Sequence, residues 1–192
     1  MSVASGLLSS ARRYRGVSGR ALARSSSSSQ AALVGLENGH SDATAGRLDR
    51  LLSTLGYQVT TLPTRLGTAS SAAEDIRHFL SNEQHDAALR VVWQLAADLQ
   101  SADSALRVAL CVTPPAPTGD ERFDALLAGV VDHLLAAARL PRPTWIDEDS
   151  RTLASPWDVE PVPSLRSAAR QRTSRQLQRH GIYLDPRELV NA

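Results

Sequence analysis

Lysine is absent from this 192-residue chain; all 21 basic residues are arginine. The accompanying wealth of Ala, Asp and Val marks a GC-rich coding bias, so the absence carries no mechanism of its own. Cysteine is nearly absent as well. The single Cys111 excludes an intramolecular disulfide framework and a cysteine-rich zinc site. Aromatic residues make up 4% of the chain, too few for a stacking platform on single-stranded nucleic acid. No apolar run approaches the ~18 residues of a membrane helix, so no bilayer span is expected. The apolar stretch near Met1 is only Gly6-Leu7-Leu8, and the arginines follow it rather than precede it. No secretory signal is therefore expected, and the expected location is the cytoplasm. What remains is a globular composition, 42% hydrophobic and 21% charged, at a length for one to two domains.

Catalytic and metal signatures are also lacking. His40, His78, His85, His133 and His180 are dispersed. No HExxH, Cys/His zinc spacing, GxxxxGK[ST], GxGxxG or GxSxG occurs. The expectation is a non-enzyme without metal or cofactor. Cys111 lies on an apolar helical pattern and reads as core. Asp147-Glu148-Asp149 reads as a solvated loop. Asp120, Glu121, Asp124 and Asp132 read as a helix start and the polar face behind it. Trp145 and Trp157 read as anchors for the proline-rich stretch 140–163.

Charge is distributed in blocks. Residues 1–66 hold eight arginines against Glu37, Asp42 and Asp49. Residues 67–163 hold seven against fifteen carboxylates, and residues 164–192 hold six against Asp185 and Glu188. A basic N-terminal module suits a polyanionic partner; the acidic middle would be repelled by it.

The first ~66 residues read as five short helices and a trailing strand. Val3 to Tyr14 places Leu7, Leu8 and Ala11 on one face, and Gly16 ends it. Ser18 is the expected N-cap of Gly19 to Arg24. The run Ser25 to Ser29 reads as a turn, with Ser29 capping Gln30 to Glu37. Asn38-Gly39 is a stop. Ala45 to Leu55 carries Leu48, Leu51, Leu52 and Leu55 at helical spacing. Tyr57 to Leu62 is β-prone, and Pro63 ends it. Residues 64–73 read as a linker. Beyond it, helices are expected over Ala73–Leu80, from Ser81-Asn82-Glu83 to about Gln100, from a Ser101 cap to about Val112, and over Glu121–Arg139. Two more follow, Leu165 to about Arg172 capped by Ser164 and Ser174–Arg179 capped by Thr173. Ile182 to Leu184 reads as extended, and Asp185-Pro186-Arg187-Glu188 as a capping box.

Residues 18–39 meet the needs of a helix–turn–helix. Such a motif requires a short bracing helix, a tight turn, a small residue at the crossing and a polar start to the helix that enters the major groove. Ala23 supplies the crossing residue. Gln30 stands where side chains reach base edges, and glutamine pairs bidentately with adenine N6 and N7. Val17-Ser18, Ala21-Leu22-Ala23, Ser29-Gln30, Leu33, Leu36-Glu37-Asn38-Gly39 and the later Gly46–Val59 together resemble the XRE, or Cro/C1-type, helix–turn–helix family over about residues 5–62. The resemblance implies a mainly α protein: a five-helix DNA-binding domain at 1–63 and a helical partner-binding or dimerising domain at 74–192, with little strand.

That resemblance would turn Ser29, Gln30, Ala31 and Val34 toward the groove. Arg12, Arg13, Arg15, Arg20 and Arg24 become phosphate contacts, and His40 and Arg47 supplement specificity from beyond Gly39. Departures from the family pattern fall at Gly19, Ser27, Ser28 and Gly35. Residues 67–192, through TPPAPTGDERFDALLAGVVDHLLAAARLPRPTW, SPWDVEPVPSLR and RHGIYLDPRELV, resemble the C-terminal half of actinobacterial XRE-type antitoxins. This implies a transcriptional repressor that neutralises a cognate toxin, often of the nucleotidyltransferase type, and represses its own operon at a double-stranded operator. A homodimer would match a palindromic operator. Two alternatives stand beside it: a ligand-responsive regulator with a pocket near Trp145 and Trp157, and a protein-interaction module that never meets DNA.

Overall fold

The computed structural model describes residues 3–61 and 64–189. Among them, 64% are helical in ten α-helices and three 3-10 turns, and strand is confined to two residue pairs. None of these helices is long and apolar enough to cross a membrane. The chain forms two compact units, Met1–Pro63 and Thr64–Ala192.

The N-terminal unit has four helices, α1 (Val3–Tyr14), α2 (Gly19–Ser25), α3 (Gln30–Glu37) and α4 (Ala45–Thr54). Local chemistry explains their ends. Ser18, Ser29 and Thr44 each accept a backbone N–H three residues ahead, satisfying one donor that a helix start leaves open. All four C-termini close in the same way. After α1, Gly16 is left-handed at φ +64°, with Val17 N donating to Arg12 O and Gly16 N to Arg13 O. Gly39 (φ +72°) and Gly56 (φ +81°) repeat this after α3 and α4. After α2 the left-handed residue is Ser27, at φ +53°, with Ser28 N on Ala23 O at 2.9 Å. A serine thus occupies a position where glycine costs least. Leu8, Leu22, Leu33, Leu36 and Leu51 meet in one core with Ala4, Ala11, Ala23, Leu52 and Leu55. Each fully buried leucine contributes roughly 1.5–3 kcal/mol over an exposed one.

Two expectations for this unit need correction. Five helices were expected and four are present among the described residues. Gly39 closes α3 and Thr44 already opens α4, so the intervening residues hold only a turn. Tyr57–Thr61 form no strand; β-propensity without a pairing partner leaves backbone groups to water. Leu62 and Pro63 lie outside the described residues.

The C-terminal unit is built around α8 (Glu121–Ala137), which buries twelve of its residues. A helix with apolar residues on most of its circumference belongs in the middle of a fold. Packed against it are α5 (Ala69–Ser81), α6 (His85–Ser101), α7 (Ser104–Cys111) and α10 (Arg175–Arg179). Gly129 admits α10 closely: a Cβ there would stand 3.1 Å from Leu177 Cδ2. Strands β1 (Trp157–Asp158) and β2 (Ile182–Tyr183) pair in parallel, Trp157 opposite Ile182. Helix α9 (Pro163–Arg172) buries only Ala169.

Here too the boundaries moved. Residues 64–73, expected as a linker, include the first turn of α5. Thr68 and Ser71 cap it reciprocally, and Ala69, Ala72 and Ala73 are buried in the core. Small apolar residues that look like linker composition serve as close-packing surface. Asp103 caps α7 in place of Ser101, Ser174 caps α10 in place of Thr173, and α9 begins at Pro163 rather than after a Ser164 cap. The Asp185-Pro186 start is followed by a 3-10 turn, Pro186–Leu189.

Candidate nucleic-acid interface

Helix α3 is placed by what it buries. Leu33 and Leu36 enter the core, which turns Gln30, Ala31 and Val34 outward on the opposite side. Val34 is 46% exposed, so an aliphatic side chain stands on the wet side of α3. The Gln30 carboxamide makes no hydrogen bond among the described residues. Ser29 is exposed, with its oxygen accepting from Ala32 N at 3.1 Å. The turn before α3 is Ser26–Ser29, and Ala23 is buried where α2 approaches the core.

The orientation of α3 is held by an ion pair. Arg12 on α1 donates from Nε to Glu37 Oε1 at 2.6 Å and from its second terminal nitrogen to Oε2 at 2.8 Å. Its remaining terminal nitrogen donates to Val17 O at 3.0 Å. The two side chains are 21% and 13% exposed. The Glu37 hydrogen bonds hold the Arg12 guanidinium even more basic than usual. Arg12, expected at a phosphate, is therefore committed to the fold; all its donors point inward. Arg12 and Glu37 lie 25 residues apart, and no local pattern in the sequence links them.

The other candidates are distributed as follows. Arg13, Arg15, Arg20 and Arg24 are exposed, as is His40, and Arg47 is half-buried. Arg13 Nε donates to Ser9 O within its own helix. Arg13, Arg15, Arg20, Arg24, Arg47 and Arg50 make no ion pair among the described residues. The three carboxylates of this unit do not pair with them: Glu37 is taken by Arg12, and the exposed Asp42 and Asp49 make no ion pair among the described residues. Exposed arginines without ion pairs, on the same unit as a helix with a free polar start, are competent to meet a polyanion. Gly35 leaves room beside it; a Cβ there would meet Ser41 Oγ at 3.6 Å, ordinary contact.

The C-terminal unit spends its charges differently. Asp132, read from sequence as part of a polar face, has a side chain with 0% exposure. It is paired with Arg142, Arg179 and His180. Burial pushes its carboxyl up, but His180, Arg142 and Arg179 together outweigh burial and hold it below the ordinary carboxylate range. His180 places Nδ1 2.7 Å from Arg151 O. Asp124, also expected on the polar face, is buried and accepts from Arg151 and from Thr118 N. Arg151 is itself buried, donates to Pro115 O and lies 5.5 Å over the Trp145 ring. Asp124 and Asp132 within the apolar stretch of α8 were the signal for this network, since a carboxylate is almost never fully buried unless paired.

Trp145 is an anchor: it is fully buried and its indole N–H donates to Cys111 O at 2.8 Å. Trp157 is half-buried against Phe123, with Arg122 over its ring. Cys111 is buried, and burial pushes its thiol up to about 12. Asp147 of the acidic triplet pairs with Arg142 and Arg179. No group of three or more metal-ligating side chains gathers among the described residues.

No family model, curated protein or solved structure matches this chain.

Proposed function

We propose that this chain is a DNA-binding transcriptional repressor that acts as the antitoxin of a toxin–antitoxin pair. Its N-terminal unit would grip an operator with α2, the serine turn and α3 in the Cro/C1 manner. The observation that carries the DNA reading is the α3 surface, with Gln30 free at the helix start and Ala31 and Val34 beside it, on a unit that also carries exposed arginines without ion pairs. Arg13, Arg15, Arg20 and Arg24 would contact phosphates and set the register, while α3 reads bases. His40 and Arg47 lie beyond Gly39 as supplementary contacts. The antitoxin part rests on the resemblance of residues 67–192 and assigns the C-terminal unit to toxin binding. Trp145 fills the core, which argues against a ligand pocket at that position.

Anisotropy titration of the full chain on duplex DNA tests the DNA reading. Log K should fall linearly with log salt, by about 0.9 per phosphate neutralised. Arg20→Ala and Arg24→Ala should each reduce that slope by about 1 without changing sequence preference. Absence of salt-sensitive duplex binding would leave a protein-interaction module. Co-expression with the neighbouring open reading frame, tagging only this chain, tests the second part. A stoichiometric partner that is toxic alone supports it; DNA binding with no partner rejects it.

A further inference from the structure

The composition of the α3 surface states which base pairs it suits. Guanine is read in the major groove by bidentate Arg or Lys, and cytosine by an accepting Asp or Glu. Helix α3 has no basic residue, and its one carboxylate, Glu37, is occupied by Arg12. Its outward groups are Gln30, Ala31 and Val34. Glutamine matches adenine, and exposed apolar carbons match the thymine 5-methyl group. The three lie within five residues, about 6 Å along the helix axis, a length of roughly two base steps at 3.4 Å.

We infer that α3 reads a short A·T core, with Gln30 on adenine and the Ala31 and Val34 side chains against thymine 5-methyl groups. This rests on the DNA-binding reading above and deepens it. It gives the exposed Val34 side chain a role on the same face as Gln30. The contact is formed by carbon on both sides, so it is insensitive to salt, unlike a contact between arginine and phosphate.

Selection of duplexes from a randomised pool with the full chain gives the first readout. An A·T core is expected. Each core thymine is then replaced by deoxyuridine, which removes only the methyl group and leaves the protein untouched. At one or two positions the Kd should rise about fourfold, the value of one buried methyl. Val34→Ala should lose most of that sensitivity at one position. Gln30→Ala should lose discrimination at the adenine by roughly tenfold or more. All three side chains are exposed, so these variants keep the fold; a circular dichroism melt checks it. A selected core of G·C pairs, or salt-dependent binding that the thymine-to-deoxyuridine replacements leave unchanged, overturns this inference alone. Selection of no duplex overturns the DNA reading and this inference together.

Discussion

The Arg12–Glu37 pair should control the stability of the N-terminal unit. Glu37→Gln removes the charge and keeps the shape. Two charge-assisted hydrogen bonds, at 2.6 and 2.8 Å, are weakened, and Arg12 is left mostly covered with only Val17 O as partner. Hydrogen bonds to charged groups contribute about 1.5–3 kcal/mol; with the partial exposure and the amide oxygen that remains, the loss should be about 2 kcal/mol. A unit of this size has a total stability of only about 3–9 kcal/mol, so its midpoint should fall by roughly 10 °C. The assay has an internal control. Trp93, Trp145 and Trp157 all lie in the C-terminal unit. Tryptophan fluorescence should therefore keep its transition while the far-ultraviolet dichroism gains an earlier one. Arg12→Met with Glu37→Gln completes a double-mutant cycle. A coupling below about 0.5 kcal/mol, within the usual additivity error, would refute the reasoning. So would equal shifts of both signals.

Four further outcomes are expected. Ser27→Gly relieves a left-handed serine and should stabilise the N-terminal unit by about 0.5–1 kcal/mol; a lower dichroism midpoint would contradict the turn geometry. Asp132→Asn leaves Arg142, Arg179 and His180 without their shared carboxylate and should cost about 3 kcal/mol in the C-terminal unit, read from tryptophan fluorescence on urea titration. Because the folded-state value of Asp132 is lowered, its stabilisation is full above the unfolded carboxylate value of about 4 and is lost as pH falls through the folded value. Asp120, Asp158 and Asp185 act in the same direction. The C-terminal unit should therefore weaken as pH drops below about 4, with a shallower slope in Asp132→Asn; an unchanged slope would remove Asp132 from the account. Cys111, with its thiol pushed up to about 12, should react with a thiol reagent at neutral pH only on unfolding, and fast reaction of the native protein would show the core to be open there.

Much of the N-terminal unit was legible because its signals are local. Ser18 and Ser29 announce helix starts through a hydroxyl that reaches a backbone N–H three residues ahead. Gly16 and Gly39 announce ends through a backbone conformation that glycine tolerates best. The alternation of Leu33 and Leu36 with Gln30, Ala31 and Val34 states which side of α3 is wet. The expected linker at 64–73 misled for the same local reason. Ala, Ser and Gly look unstructured by composition, yet alanines at helical spacing let α5 approach its neighbours closely.

By itself, then, the sequence determined the helical class, most helix boundaries, the exposed side of α3 and the buried place of Cys111. Each depends on neighbours within a turn or two of chain. Tertiary structure alone decided which charges are free. Arg12 and Arg13 are adjacent and equally basic, yet one is locked to Glu37, 25 residues away, and the other faces solvent. Asp124 and Asp132 look like surface carboxylates until Arg151, Arg142 and Arg179 arrive from distant segments to neutralise them. A charge is buried or available according to its partner in space, and chain order does not record that partner.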